Sequence, residues 1–179
     1  MKISIIEEHG YESALLGLSL SRNRPVSDMV VVSERLCNKD GGHNKFLESI
    51  VVWLDITASR YFFAQFSTYR VGISTQSEST MYSLMNRELT NDDFEYPIPG
   101  DILKRLNFYI EKKEFIKLKN LLPEGFLQRR IICLNYKCLR NIICQRRNHK
   151  LMEWKYFCEQ VVGQLQHPEL IVKGLENGN

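Results

Sequence analysis

Between Gln65 and Tyr82 the chain reads QFSTYRVGISTQSESTMY, and this stretch sets the terms for the rest. An aromatic run (Tyr61, Phe62, Phe63, Phe66) leads into a single arginine, Arg70, then a glycine, Gly72. Hydroxyl and amide side chains follow almost without interruption from Ser74 to Thr80. Such side chains compete with the backbone for hydrogen bonds and favour turns over helix. An irregular segment with exposed backbone N–H groups beside an arginine is therefore expected here. That arrangement suits a phosphate or nucleotide cradle. Taken alone, the segment is more simply read as a solvated Ser/Thr loop.

The chain is 179 residues long, a length that fits one domain over 1–179 with a real core. A formal charge of +3 is too small to indicate nucleic acid by itself. The opening Met1-Lys2-Ile3-Ser4-Ile5-Ile6 runs straight into Glu7 and Glu8, so it lacks the apolar length of a signal peptide, and no stretch approaches a membrane span. The five cysteines (Cys37, Cys133, Cys138, Cys144, Cys158) form no C-x-x-C pair. Reduced thiols in a cytoplasmic setting are expected, with no metal site, since Cys144 and His149 have no further ligands nominated.

Periodicity predicts a strand over residues 2–6, a short helix from Ala14 to Leu20, and an apolar run from Met29 to Val32. It predicts a helix carrying Phe46, Leu47 and Ile50 behind a His43-Asn44 cap, a strand from Ile50 to Ile56, and a helix from Ala58 to Tyr69. After Pro97 and Pro99, Asp101 is the expected N-cap of a helix that carries Leu103, Leu106, Ile110 and Phe115 and ends near Leu122-Pro123. The tail from Gly174 to Asn179 is expected to be loose.

The last major helix is expected from Phe126 to Arg146. At about 100° per residue, Leu127, Ile131, Leu134, Cys138 and Ile142 form one buried stripe, with Asn135 and Arg146 in or beside it. Those two lie about 16 Å apart at ~1.5 Å per residue, a span that suits the ends of an extended ligand. Polar groups so placed need partners, a ligand or loop carbonyls, because leaving them bare costs about 1–3 kcal/mol each. Arg129, Arg130, Lys137, Arg140 and Arg147 are expected to scatter round this helix as a solvated face or an oligomer contact.

Together these segments resemble the flavin-dependent thymidylate synthases from about Ser33 to about Gln160. Gln65 matches the glutamine of the family's helix, Arg70 the last arginine of its Arg-His-Arg triplet, and Ser79 and Tyr82 the end of its motif. Thr68 and Tyr69 stand where the family has arginine and histidine, Met81 stands where it has arginine, and the spacer is one residue longer. Leu122-Pro123 matches the Leu-Pro before the ligand-binding helix, Lys119 the upstream phosphate-binding arginine, Asn135 and Asn141 the flavin asparagines, and Arg146 the arginine that orients the pyrimidine. Lys150-Leu151-Met152 replaces the family's His-Ala-Gln.

The resemblance implies an α+β fold, a central mostly antiparallel sheet flanked by long helices, assembled as a homotetramer whose sites draw on several subunits. It implies one-carbon transfer from methylenetetrahydrofolate to C5 of a pyrimidine deoxynucleotide monophosphate, dUMP or a close variant, with FAD and NADPH. Arg70, Thr75, Gln76, Asn135 and Asn141 would then hold FAD. Gln65, Ser77, Ser79, Lys119 and Arg146 would hold the nucleotide, with Arg146 polarising the base. Arg22, Arg24, Arg35 or Arg60 would replace the cations missing at Thr68, Tyr69 and Met81. The alternatives are a diverged relative with altered cofactor use, and a nucleic-acid-binding protein using the Arg129 to Lys150 cluster.

Overall fold

The computed structural model describes residues 1–175. Its elements are β1 (Lys2–His9), α1 (Tyr11–Arg22), α2 (Met29–Leu36), a 3-10 turn (Lys45–Ser49), β2 (Val51–Ser59), α3 (Arg60–Phe66), β3 (Ile73–Ser77) and α4 (Thr80–Ser83). Then come α5 (Gly100–Glu111), α6 (Phe115–Leu121), β4 (Leu127–Asn135), α7 (Tyr136–Arg146), α8 (Met152–Gln164) and α9 (Glu169–Val172). The strands form one four-stranded sheet in the order β1-β2-β4-β3, and the class is α+β as expected. Backbone hydrogen bonds fix the direction of the central pair. Arg60 N–H donates to Phe126 O at one end and Tyr136 N–H to Ile50 O at the other, 3.1 and 2.8 Å, so β2 and β4 run antiparallel.

Contacts cluster into two compact units. The first comprises residues 1–2, 56–68 and 76–130. Its core gathers Leu84, Leu89, Phe94, Leu106, Leu118, Leu122 and Phe126, with Ile102, Leu103 and Ile110 packed against them. One long helix was expected over this region, but the chain breaks it between α5 and α6, where Lys113 adopts φ 56. Of the residues expected on its apolar face, Leu106 is buried and Leu103 and Ile110 pack beside it on α5, while beyond the break α6 turns Leu118 inward, which was not expected. Pro99 and not Asp101 caps α5, while Asp101 sits in the first turn, where a carboxylate favours the helix dipole.

The second unit comprises residues 3–55, 69–75 and 131–179. In it the apolar run from Met29 to Val32 opens a helix, α2, in which Met29, Ser33 and Leu36 share a buried face at helical spacing. The helix expected behind His43-Asn44 is a single 3-10 turn that buries Phe46 and Leu47. Gly174 and Leu175 are packed, Gly174 against the Asn38 side chain at φ +76. The rest of the tail expected to be loose, residues 176–179, lies outside the described residues.

The helix expected from Phe126 to Arg146 is a strand followed by a helix. Ile132, Leu134 and Tyr136 are buried at alternate positions, the period of β4, and the helix starts only at Tyr136. β-Branched Ile131 and Ile132 and the pairing with β2 outweigh a leucine spacing that suits helix as well. The hydroxyl-rich segment also departs from expectation. Ile73 to Ser77 forms β3 at the sheet edge, where one row of backbone groups bonds to β4 and polar side chains stay in water.

Candidate functional site

The candidate residues divide between the two units. In the second, the organising feature is the junction of β4 with α7. Asn135 is the N-cap of α7: its backbone is extended and its side-chain Oδ1 accepts the Cys138 N–H at 2.9 Å. The turn that leads into β3 rests on this junction. Cys138 Sγ–H donates to Val71 O at 2.8 Å, and Gly72 follows in the left-handed region at φ +69. A Cβ on Gly72 would come within 2.7 Å of Asn135 Nδ2 and 2.9 Å of Cys138 Sγ, so only glycine fits both the angle and the space.

At the other end of α7 stands Arg146, half-buried, its guanidinium 4.8 Å from the centre of the Trp154 ring and 5.6 Å from that of Tyr69. Its Nε–H donates to Tyr69 Oη at 2.8 Å. Tyr69 O–H in turn donates to Gln145 Oε1 at 2.9 Å, and Gln145 Nε2–H to Asn141 Oδ1 at 3.1 Å. Trp154 is fully buried and meets Tyr69 edge-on, centroids 6.3 Å apart. The arginine is thus clamped by two aromatic rings and one hydrogen bond, and no carboxylate pairs with it among the described residues. The structure connects Arg146 and Asn141 through Tyr69 and Gln145. Arg70 and Thr75 are exposed on the approach to and within β3.

The first unit carries the remaining candidates. Lys119, in the last turn of α6, donates from Nζ to Thr80 Oγ1, and Thr80 is buried where α4 begins. Ser79 precedes it in extended conformation, its carbonyl accepting the Ser83 N–H and hydroxyl, each at 3.0 Å. Lys119 and Ser79 therefore converge through Thr80. Gln76 and Ser77 are exposed on β3, and Gln65 is half-buried on α3, its carbonyl accepting the Thr68 hydroxyl at 2.8 Å.

The basic residues do not ring one helix, which corrects the expectation of a scattered helical face. Arg129 and Arg130 lie on β4. Arg130 stacks on Phe63 at 4.2 Å and bonds Gln128 Oε1, and burial lowers its pKa. Arg140 donates to the carbonyls of Leu170, Ile171 and Lys173, and Lys137 pairs with Glu48. Of the arginines expected to replace lost cations, Arg60 is tied to Glu124 at 3.0 Å and Arg24 to Asp28 at 2.9 Å.

No family model matches the sequence, and no curated protein does. Among solved structures the chain is similar to flavin-dependent thymidylate synthase ThyX from Helicobacter pylori complexed with FAD and dUMP, with a TM-score of 0.82 over 96% of this chain and 98% of that one. The fold is that of the flavin-dependent thymidylate synthases. Identity is 15%, and a second structure of the same enzyme with FAD and dUMP gives a TM-score of 0.82 at 14% identity over 97% and 98% of the two chains. At that identity the shared fold, and not the side chains, carries the likeness.

Sequence reading treated Tyr69 only as a lost histidine and missed it as the group that aims Arg146. It also missed Trp154 and the close fit of Gly72 against Asn135 and Cys138. A tyrosine next to Arg70 and a glycine soon after it were visible, but their partners lie far along the chain. Among the described residues no helix is long and apolar enough to cross a membrane, and no group of three or more His, Cys, Asp or Glu residues is placed to hold a metal.

Proposed function

We propose that this chain is a flavin-dependent transferase that moves a one-carbon unit from methylenetetrahydrofolate to C5 of a pyrimidine deoxynucleotide, dUMP or a close variant, with FAD and NADPH, as a homotetramer in the cytoplasm. The observation that carries the reading is Arg146. A half-buried guanidinium without a carboxylate is costly unless something else answers its charge. Here Tyr69 and Trp154 hold it by one edge, and its Nη groups make no hydrogen bond among the described residues. A pyrimidine carbonyl or a phosphate oxygen is the acceptor that completes it.

In this reading Arg146 polarises the base and stabilises charge that builds on the ring during transfer. Lys119 with the Ser77 and Ser79 hydroxyls takes the nucleotide phosphate, and Gln65 contacts the nucleotide. Exposed Arg70, Thr75, Gln76 and Asn141, with half-buried Asn135, offer a cation, hydroxyl and amides to FAD, a donor set that fits a diphosphate and a polar ring edge. Bound flavin would supply the hydride. The protein's own work is to orient base against cofactor and exclude water; no side chain is needed as nucleophile. With Thr68 bonded to its own helix and Tyr69 to Arg146, Arg70 is the single cation left of the triplet, which favours weakened or altered flavin use as the second reading.

The test is direct. The purified protein should be yellow or take up added FAD, and should convert dUMP with methylenetetrahydrofolate and NADPH. Arg146→Ala should lower nucleotide affinity by about 1.5–3 kcal/mol, the worth of a charged hydrogen bond. A colourless protein that ignores added FAD rejects the flavin reading, and unchanged nucleotide binding in Arg146→Ala rejects the role given to that residue.

A further inference from the structure

In the first unit Arg130 is half-buried on β4 and held in a fixed pose. Its guanidinium lies 4.2 Å from the centre of the Phe63 ring. Nε–H and Nη2–H both donate to Gln128 Oε1, at 3.1 and 2.9 Å. Gln128 is itself anchored, its Nε2–H donating to Glu78 O at 2.9 Å. Nη1 comes no nearer than 3.5 Å to Ser67 Oγ, longer than a charged hydrogen bond prefers.

Arginines with a structural task look different in this chain. Arg60 pairs with Glu124 and Arg87 with Asp93, while Arg140 donates to three carbonyls at the end of α9. Arg130 meets neither a carboxylate nor a carbonyl among the described residues. The nearby C-terminal end of α3 favours a cation by its dipole, but such an effect contributes at most about 1 kcal/mol and does not engage the Nη groups. Burial lowers the pKa of Arg130 and no neighbouring charge offsets that. A cation drawn partly out of water, with hydrogens left over, is completed by an anion.

Hydroxyls stand where that anion would sit. Glu78 N–H donates to Arg129 O at 2.9 Å, and in an antiparallel ladder this pairing sets Ser77 opposite Arg130, on the same face of the sheet. Ser67 gives its hydroxyl hydrogen to Phe63 O at 2.7 Å, so its oxygen is left as an acceptor and Ser77, exposed, is the hydroxyl able to donate. Ser77 and Ser79 flank the Glu78 carbonyl that Gln128 holds, and Ser79 adjoins Thr80, the partner of Lys119. Through Gln128 the guanidinium is tied to the segment between them.

We propose that Arg130 and Ser77 form an anion subsite that holds the phosphate of the nucleotide, an inference that rests on the nucleotide reading of this segment. A phosphate monoester has oxygens enough to meet both Nη groups and a hydroxyl at once, whereas a carboxylate is filled by the guanidinium fork alone.

Calorimetric titration of the full chain with dUMP, with 2′-deoxyuridine and with inorganic phosphate tests this. The parent should bind dUMP more tightly than deoxyuridine, with an affinity that falls as salt rises. Arg130→Gln should weaken dUMP and inorganic phosphate by about tenfold or more, leave deoxyuridine within about twofold, and flatten the salt dependence. Arg130→Lys keeps the charge without the fork and should recover part of the loss. The melting temperature of Arg130→Gln should fall by no more than a few degrees, since the variant removes a charge that has no countercharge. Equal weakening of dUMP and deoxyuridine would make Arg130 a structural residue and overturn the proposal, as would dUMP or phosphate binding that Arg130→Gln leaves unchanged. Failure of the nucleotide reading looks different: phosphate bound through Arg130 while dUMP binds no better than phosphate would uphold the anion subsite and reject the nucleotide.

Discussion

Tyr69 holds Arg146 by its phenol oxygen and rests its ring edge-on to Trp154, so one side chain sets both the direction and the depth of the guanidinium. These two contributions separate in Tyr69→Phe. The ring stays, and the hydrogen bond to a charged group, worth about 1.5–3 kcal/mol, is lost. The affinity for dUMP, measured by titration calorimetry, should fall by about tenfold, while the melting temperature moves by no more than a few degrees. Unchanged dUMP binding would mean that Arg146 needs no aiming by Tyr69. The residue scale is also where sequence reading was weakest. Arg146 could be nominated from helical spacing and Asn141 from the family resemblance, but nothing near Tyr69 in the sequence announces Gln145, Arg146 or Trp154 as its partners.

At the level of elements, β1, α1, β2, α3 and the apolar face of α5 were legible because each carries a single clear period between strong breaks. The β4–α7 segment was not. Leu127, Ile131 and Leu134 satisfy helical spacing, and what decides for a strand is pairing with β2, a partner 66 to 86 positions upstream, from Arg60–Phe126 at one end to Ile50–Tyr136 at the other. Asn135 marks the change of period. As an N-cap it contributes to stability, and as a proposed flavin contact it contributes to binding, so the two roles need different substitutions. Asn135→Ala should cost about 1 kcal/mol of unfolding free energy by urea titration. Asn135→Asp keeps an oxygen for the Cys138 N–H and should stay within about 0.5 kcal/mol of the parent, yet bind FAD less well by bringing a negative charge to a diphosphate. Equal loss of stability in both variants would show that the cap bond is not what Asn135 supplies.

For the whole molecule, the alkaline limit is set by buried acids that must stay protonated. Burial, and then the Glu8 carboxylate that its hydroxyl bonds, push the Tyr136 phenol well above its ordinary value. Burial, with Glu159 adding to it, pushes the Cys158 thiol up to about 12. Both groups favour the folded state while protonated. Their stabilisation is complete below the unfolded values, near 9 for the thiol and 10 for the phenol, and drains away as pH rises past them. The urea midpoint should therefore decline between pH 9 and pH 12, at up to about 1.4 kcal/mol per pH unit for each group that ionises only on unfolding. Cys158→Ala should be less stable at neutral pH but decline more gently up to pH 12; a slope identical to the parent's would place the alkaline limit elsewhere. The tuck of Gly72 beneath Asn135 bears on how kindred chains can be found. A search keyed to a cationic triplet passes this one by. A pattern that asks for a tyrosine, a glycine shortly after it, and far downstream an asparagine whose helix closes on arginine follows the bend of the backbone, and would gather proteins that have exchanged their charges while keeping their shape.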